Sequence, residues 1–375
     1  LASYNWLKEY VKTDLSPEEF AKEFSLRSMS VETVTNLREQ FAGMILGVVT
    51  GIEKHPGADR LSVVTVDIGS RSSAIVCGGT NVAVGMKVLV APTGTKVRWH
   101  GAPEWTTLEK ATIRGVESDG MICAPSEVGL DAINVGDHEI WDLTTCTEAK
   151  AGTPIEEALG LDDALFDIEV TTNRPDAMGM VGLAREMGCA VRGDFQSISN
   201  QQSVAVSEGP LHVRIDDKRC SRYMAAVVSG VKIGPSPWWL QKRLILAGHK
   251  PINTIVDITN YVRLELGQPL HAFDATNIGG NTIIVRKGKR GESLELLDGK
   301  TVKLDASHIV IADANRPLAL AGIMGGKDCG TTEQTTTVVF EAAMFDALAI
   351  RRGARLVNCA SDAQVLYEKG LLPGA

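Results

Sequence analysis

Residues 44–67 read Met44-Ile45-Leu46-Gly47-Val48-Val49-Thr50-Gly51-Ile52-Glu53-Lys54-His55-Pro56-Gly57-Ala58-Asp59-Arg60-Leu61-Ser62-Val63-Val64-Thr65-Val66-Asp67. Two runs rich in Val and Ile, Met44–Val49 and Leu61–Asp67, flank a polar segment centred on Pro56-Gly57. Ala74–Cys77 and Lys87–Ala91 repeat the pattern, each broken by Gly, Pro or Asn. Short strands at this spacing predict a small barrel or sandwich, which extends to about Leu143. Taken alone, His55, Asp59 and Arg60 are residues that fix a turn.

Outward from this β region the pattern is helical. Upstream, Ser16-Pro17-Glu18-Glu19 is a capping box with Pro at the first helical position. It opens a helix over about 17–28, with Phe20 and Phe24 on one face. Downstream, Thr153–Leu159 and Met178–Val191 read as helices around a strand at Leu165–Val170, and Asp176 is a candidate cap for the second. The Ser/Gln/Gly-rich stretch 193–210 reads as a linker. Beyond it, Leu211–Ile215 and Tyr223–Val228 are strand-like, and Ser236-Pro237 opens a helix that Gly248 closes. A further helix over Asn253–Leu266 has Ile255, Ile258 and Val262 as its apolar face and Asn253, Asp257 and Asn260 as a polar stripe. Asp298-Gly299 signals a hairpin, and helical pattern resumes around Phe345–Leu356.

The chain has 375 residues, enough for two or three domains. Its charged fraction of 22% excludes wholesale disorder. A net charge of -8 gives no global attraction for polyanions, so any nucleic-acid partner must be held by local basic patches. No apolar stretch approaches the roughly 18 residues of a membrane span, and no basic-then-apolar leader opens the chain. The seven cysteines are odd in number and never in C-x-x-C spacing, which points away from a disulfide framework or a metal site and toward a cytoplasmic protein. Gly322-Ile323-Met324-Gly325-Gly326 lacks both the Lys-Ser/Thr ending of a P-loop and full G-x-G-x-x-G spacing.

The segment Glu53–Leu61, followed by Val76-Cys77-Gly78-Gly79-Thr80-Asn81-Val82 and by Arg114-Gly115-Val116-Glu117-Ser118-Asp119-Gly120-Met121, is similar to the OB-fold tRNA-binding domain of several aminoacyl-tRNA synthetases. That resemblance makes His55, Asp59, Arg60, Asn81 and Arg114 candidate tRNA contacts, with the turn-fixing role as the competing reading. Ser3-Tyr4-Asn5-Trp6-Leu7-Lys8-Glu9-Tyr10-Val11, with Thr172-Asn173-Arg174-Pro175-Asp176, resembles the bacterial phenylalanyl-tRNA synthetase beta subunit. In that family the N-terminal helices and the segment after the barrel form one structural domain. The expected architecture is therefore α+β and multidomain. A helical N-terminal domain (1–40 with 150–192) carries an inserted OB-fold barrel (41–149), and the linker 193–210 leads to an α+β editing domain (211–375). A capped turn is the structural reading of Asn173, Arg174 and Asp176.

Pro251–Val262, Glu265–Asp274, Ala319–Gly326 and Phe340-Glu341-Ala342-Ala343 resemble the editing domain of the same subunit. Phenylalanine and tyrosine differ by one hydroxyl, and an apolar pocket rejects an added hydroxyl poorly, so a second hydrolytic sieve is useful. By resemblance, Glu341 reads the tyrosine hydroxyl. His271, Thr259 and Asn260 lie beside the ester as the catalytic pocket, and Ala321 and Gly322 are small wall positions. Ser361 and Ala363 fall where the family has Thr and Ala near the pocket. Gln364 and Leu366 depart from the family pattern in the following helix. The competing structural readings are an ion pair at a strand end for Glu341, a helix crosslink for Asn260 and a helix-end contact for His271.

The function implied is a phenylalanine–tRNA ligase beta subunit that binds tRNA and hydrolyses tyrosyl-tRNA(Phe). The alternatives are a non-catalytic tRNA-binding protein and a free-standing deacylase. The partners implied are phenylalanine tRNA and an alpha subunit, in a heterotetramer. ATP and Mg2+ are expected on the alpha subunit, since the residues here show no ATP-binding motif. The family continues past the editing domain, so the 375 residues, which open without Met, are expected to be the front half of a larger subunit.

Overall fold

The structure is a computed structural model and describes residues 1–133, 135–198 and 209–371. Most of the expected linker and the last four residues lie outside the described residues. At Ser16 the hydroxyl accepts from Glu19 N (3.2 Å) and the Glu19 carboxylate accepts from Ser16 N (2.9 Å), which starts the Pro17–Arg27 helix. Phe20 and Phe24 are fully buried, and Phe20 stacks on Phe166 at 5.9 Å. Phe166 belongs to the strand Ala164–Ile168, which lies between Ala2–Ser3 and Val31–Asn36 in an antiparallel sheet. The Met180–Val191 helix packs on this body and shares its core.

Asp176 does not cap that helix. Its carboxylate is held by Arg174 (Nη2 to Oδ2 2.8 Å), which also reaches Glu186 at 2.9 Å, and Gly179 takes the cap position. The guanidinium two residues upstream satisfies the carboxylate before the helix can use it.

The β region is a five-stranded antiparallel sheet in the order Met121–Ile122, Lys87–Ala91, Ile45–Lys54, Ser62–Asp67, Ser72–Cys77. Both faces are covered. Val49, Val64, Val66, Ile75 and Val88 form one core, while Leu46 and Leu89 join Phe41, Trp141, Leu143 and Ile155 in another. Gly47 sits at the closest approach, where a Cβ would lie 2.5 Å from Val66 and 2.6 Å from Val90. The two edge strands do not pair with each other, but the segment after the Ala111–Ile113/Val116–Ser118 hairpin crosses the gap (Asp119 N to Ala74 O, 3.0 Å). The sheet is thus a half-barrel. Its strands end at Ile122, short of the expected Leu143. From there, turns and single hydrogen bonds carry the chain to the Ile155–Leu159 helix.

Residues 209–371 form two larger sheets and the small hairpin Ser293–Glu295/Thr301–Lys303. Cys220–Ser229, Thr337–Phe345 and Leu270–Asp274 make one, with Thr337–Phe345 central. The other runs His212–Ile215, Thr282–Lys287, Ile309–Ala312, Pro317–Leu320, Met324–Gly325, its first pair parallel. Phe273, Ile283, Leu296, Val310 and Val339 fill one apolar core together with their neighbours.

Ser236 is one residue too early to be a cap. Pro237 caps the Trp238–Leu246 helix, and the Ser236 hydroxyl donates to Asp257 Oδ2 (2.5 Å). Asn253 caps the Thr254–Leu266 helix by accepting from Ile255 N and Val256 N at 3.1 Å each. The buried residues of this helix are Ile255, Asp257 and Thr259, whereas Ile258 and Val262 are half-buried. Asp257 tolerates full burial because Ser236 and Ile252 N (2.7 Å) satisfy it.

These two helices dock on the front of the chain. Trp6 stacks on Tyr261 at 5.3 Å, the Tyr10 hydroxyl donates to Glu265, and Trp238 Nε1 donates to Leu159 O (2.9 Å). Among the described residues no helix is long and apolar enough to cross a membrane.

Candidate functional site

The pairing of Leu270–Asp274 with Thr337–Phe345 sets His271 directly opposite Glu341. Directly opposed residues of an antiparallel pair share a sheet face. Both side chains therefore enter one cavity of about 320 Å³. Its other walls are the Thr254–Leu266 helix, residues 319–325 and the start of the Asp362–Lys369 helix. Thr259, Asn260, His271, Gly322, Glu341, Ser361 and Ala363 all line it. Ala321 does not, because it is fully buried in the apolar core behind the wall.

The two opposed groups are both uncharged at neutral pH. Glu341 is 5% exposed, and burial pushes its carboxyl up to about 8. The Tyr223 hydroxyl is near enough to oppose that rise, yet neither it nor Glu341 Oε2 makes a hydrogen bond of normal geometry. Burial drives His271 down to about 4, so its imidazole is neutral. Its Nε2 is buried without a partner, and its ring stands edge-on to Phe273 at 4.5 Å. Ile311, Ala319, Leu320, Ile323 and Met324 supply apolar wall. An apolar cavity with two unpartnered polar atoms is built to hydrogen-bond a ligand.

Other hydroxyls are engaged locally. Thr259 Oγ1 donates to Val256 O (2.7 Å) in its own helix. Ser361 donates to Ile323 O (2.6 Å) and accepts from Gln364 N (3.1 Å), so it fastens the wall to the next helix. Gly322 has φ +66°, and a Cβ there would meet Ile350, Phe345 and Tyr367 at 2.9–3.0 Å. Its smallness serves the wall rather than a ligand.

Sequence reasoning left two residues without a role. A Cβ at Gly325 would lie 2.6 Å from His271 Cε1 and 2.8 Å from Nε2, so this glycine makes room for the imidazole. Arg263 lines the cavity and pairs with Asp362 at 3.2 Å. Its spacing from Thr259 and Asn260 along the helix was the available signal.

The candidate tRNA contacts separate into two places. His55 is buried. Its Nδ1 accepts from Gly57 N (3.0 Å) while Nε2 meets Ile113 O (2.9 Å), so the ring clasps its turn to a neighbouring hairpin. Asp59, Arg60 and Arg114 are exposed around that clasp, and Arg114 Nη1 donates to Gly57 O (3.3 Å). Asn81 lies elsewhere, where its amide pairs both ways with the Ile140 backbone at 2.9 Å. Among the described residues no group of three or more His, Cys, Asp or Glu is placed to hold a metal ion.

Residues 219–375 match the family model "B3/4 domain" and residues 44–154 match "Putative tRNA binding domain". The phenylalanine–tRNA ligase beta subunit of Synechocystis sp. is 40% identical over 98% of this chain. That of Symbiobacterium thermophilum is 42% identical over 99%.

Over nearly its whole length the chain is similar to phenylalanine–tRNA ligase beta subunits.

It spans about half the length of those beta subunits, covering 45% and 41% of them. An N-terminal fragment of the phenylalanyl-tRNA synthetase beta-subunit from Pyrococcus horikoshii aligns at TM-score 0.31 and 16% identity, over 52% of this chain and 61% of the other. Within the beta-subunit family match, the cavity falls in the B3/4 segment and the half-barrel in the tRNA-binding segment.

Proposed function

We propose that this chain is the tRNA-binding and editing portion of a phenylalanine–tRNA ligase, and that its Glu341–His271 cavity hydrolyses tyrosine mischarged onto phenylalanine tRNA. The observation that carries this reading is the buried Glu341 carboxyl, whose Oε2 has no hydrogen-bond partner in a mainly apolar cavity. A tyrosine phenol gives that carboxyl its hydrogen bond. Phenylalanine leaves it orphaned, and an unsatisfied buried polar group is costly. A site built around a substrate hydroxyl discriminates strongly against the analogue lacking it.

His271, at about 4, is a weak base at neutral pH. Its free Nε2 orients the attacking water or the ester instead, with Asn260 beside it. Thr259 and Ser361 shape the pocket through the backbone groups they hold. Ala363 leaves space, Gly322 lets the wall close against Ile350, Phe345 and Tyr367, and Ala321 acts from behind the wall.

In the same reading the half-barrel is a partly open OB-type fold spanning 41–149. It is inserted in a structural domain of 1–40 with 150–192, and the editing domain is 211–375. The exposed Arg60 and Arg114 meet phosphates, while His55 and Asn81 hold the loops between which RNA passes. The working enzyme is a cytoplasmic heterotetramer with an alpha subunit that binds ATP and Mg2+.

The test supplies the chain with tyrosine-charged and phenylalanine-charged tRNA(Phe), with and without the alpha subunit. Selective loss of the tyrosyl ester is expected, and Glu341→Ala abolishes the selectivity. Persistence of both esters in every mixture sinks the editing reading.

A further inference from the structure

The Ala347–Val357 helix carries Arg351, Arg352 and Arg355, all exposed, and contains no acidic residue. Among the described residues none of these three, nor the nearby Lys303, forms an ion pair, whereas Arg219 is held by Asp217 (2.6 Å) and Lys300 by Asp298 (3.3 Å). Like charges three and four residues apart destabilise a helix. The helix dipole accounts for Arg355 in the last turn, but its effect fades before Arg351 and Arg352. In a chain of net charge -8 this concentration of cations is local.

Two shallow grooves meet along this face. One, of about 520 Å³, is lined by Arg219, Arg352 and Arg355 with the helix-capping Asp346 beside them, and the other, of about 570 Å³, by Lys300 and Lys303 with Asp305 and His308. Leu356 borders both.

The position of the helix ties the patch to the cavity. Its inner face is the back of the cavity wall, with Ile350 against Gly322 and Gly353 against Ile323. Lys300 Nζ donates to Asn358 O (3.2 Å), joining two segments that lead into the cavity wall. One is the turn after Leu297, and the other is the segment leading to Ser361 and Ala363. The cavity's own cation, Arg263, is already paired with Asp362.

We infer that the Arg351–Arg352–Arg355 face with Lys303 is a phosphate-binding track that guides the 3′ strand of an aminoacylated RNA over this helix into the cavity. The inference rests on the editing reading for the identity of the ester, but not for the binding of RNA. A phosphodiester strand whose terminal ester sits in the cavity and that leaves over this helix meets the cations at successive phosphates, which releases the counterions condensed on the strand.

The test uses the full chain with Arg352→Glu/Arg355→Glu and, separately, Arg352→Gln/Arg355→Gln. A fluorescent RNA hairpin ending in single-stranded CCA is titrated at several salt concentrations. Wild-type affinity falls steeply with salt. The Gln pair lowers affinity about tenfold and shrinks the log–log salt slope by about 2, with a larger loss for the Glu pair. Hydrolysis is then compared on the tyrosyl hairpin and on tyrosyl-adenosine, which has no phosphodiester. The variants raise KM on the hairpin and leave tyrosyl-adenosine unchanged. Unaltered hairpin affinity and slope overturn the inference. So does a variant that keeps RNA binding and loses only alpha-subunit association, since the face then belongs to a protein partner. If wild type cleaves neither ester, the editing reading fails while the binding arm still decides this one.

Discussion

Burial acts on Glu341 and His271 with opposite signs. Glu341 rises from 4.5 to about 8, so between those values the folded chain holds a proton the unfolded chain has released. Its contribution to stability is complete below 4.5, declines as pH rises and is gone above about 8. His271 falls from 6.5 to about 4, so its contribution is complete above 6.5 and declines toward acid. Glu341→Gln keeps the shape and removes the titration. Denaturant melts from pH 5 to 9 are expected to show the variant gaining on wild type with rising pH, by up to about 4 kcal/mol across the range. Parallel curves would contradict an elevated carboxyl. Gly325→Ala pushes a methyl into the imidazole, and ester hydrolysis is expected to drop about 100-fold with the circular dichroism spectrum unchanged. Resemblance singled out Glu341 and His271 as candidates, but it could not say that they face each other, because strand register is a tertiary property. Nor does a sequence reveal that the hydroxyls of Thr259 and Ser361 are consumed by nearby backbone groups.

At the scale of elements, the signals that were read well are local ones. Ser16 with Glu19 caps where the residue order says it does, because the partner lies within three positions, whereas Asn253, read as part of a polar stripe, turns out to be the cap of its helix. Ser236 and Asp176 went astray because a stronger partner intervened: Asp257 from the next helix for one, Arg174 for the other. The two anchors of the Thr254–Leu266 helix therefore differ in weight. Asn253→Ala removes a cap and is expected to cost about 1 kcal/mol. Asp257→Ala leaves the buried Ser236 hydroxyl and Ile252 N–H unpaired and is expected to cost about 2–3 kcal/mol. Chemical denaturation ranks the two, and a larger loss at Asn253 would show that the buried carboxylate is not the anchor. The Glu341 strand was harder to place from sequence. A short Phe-Glu-Ala-Ala run does not reveal that it sits mid-strand with a neighbour on each side.

For the whole molecule, the front and back of the chain share surfaces that no local pattern announces. Ile245 and Leu246 complete the core around Phe41 and Leu143, and Tyr261 and Leu264 pack against the core around Trp6. A piece beginning at residue 209 leaves those faces bare. It is expected to melt well below the full chain and to bind a hydrophobic dye, and equal melting temperatures would refute the coupling. The same interdependence extends to the front itself. Among the described residues Val31–Asn36 finds its only ladder partner in Ala164–Ile168, which is made more than a hundred residues later. At ordinary rates of synthesis the wait is roughly 10 seconds. During that time Phe20 and Phe24 have no Phe166 to close over them. A growing chain of this kind carries an open apolar face while its half-barrel is being completed, and the interval in which it needs shelter is set by the length of chain between the two strands.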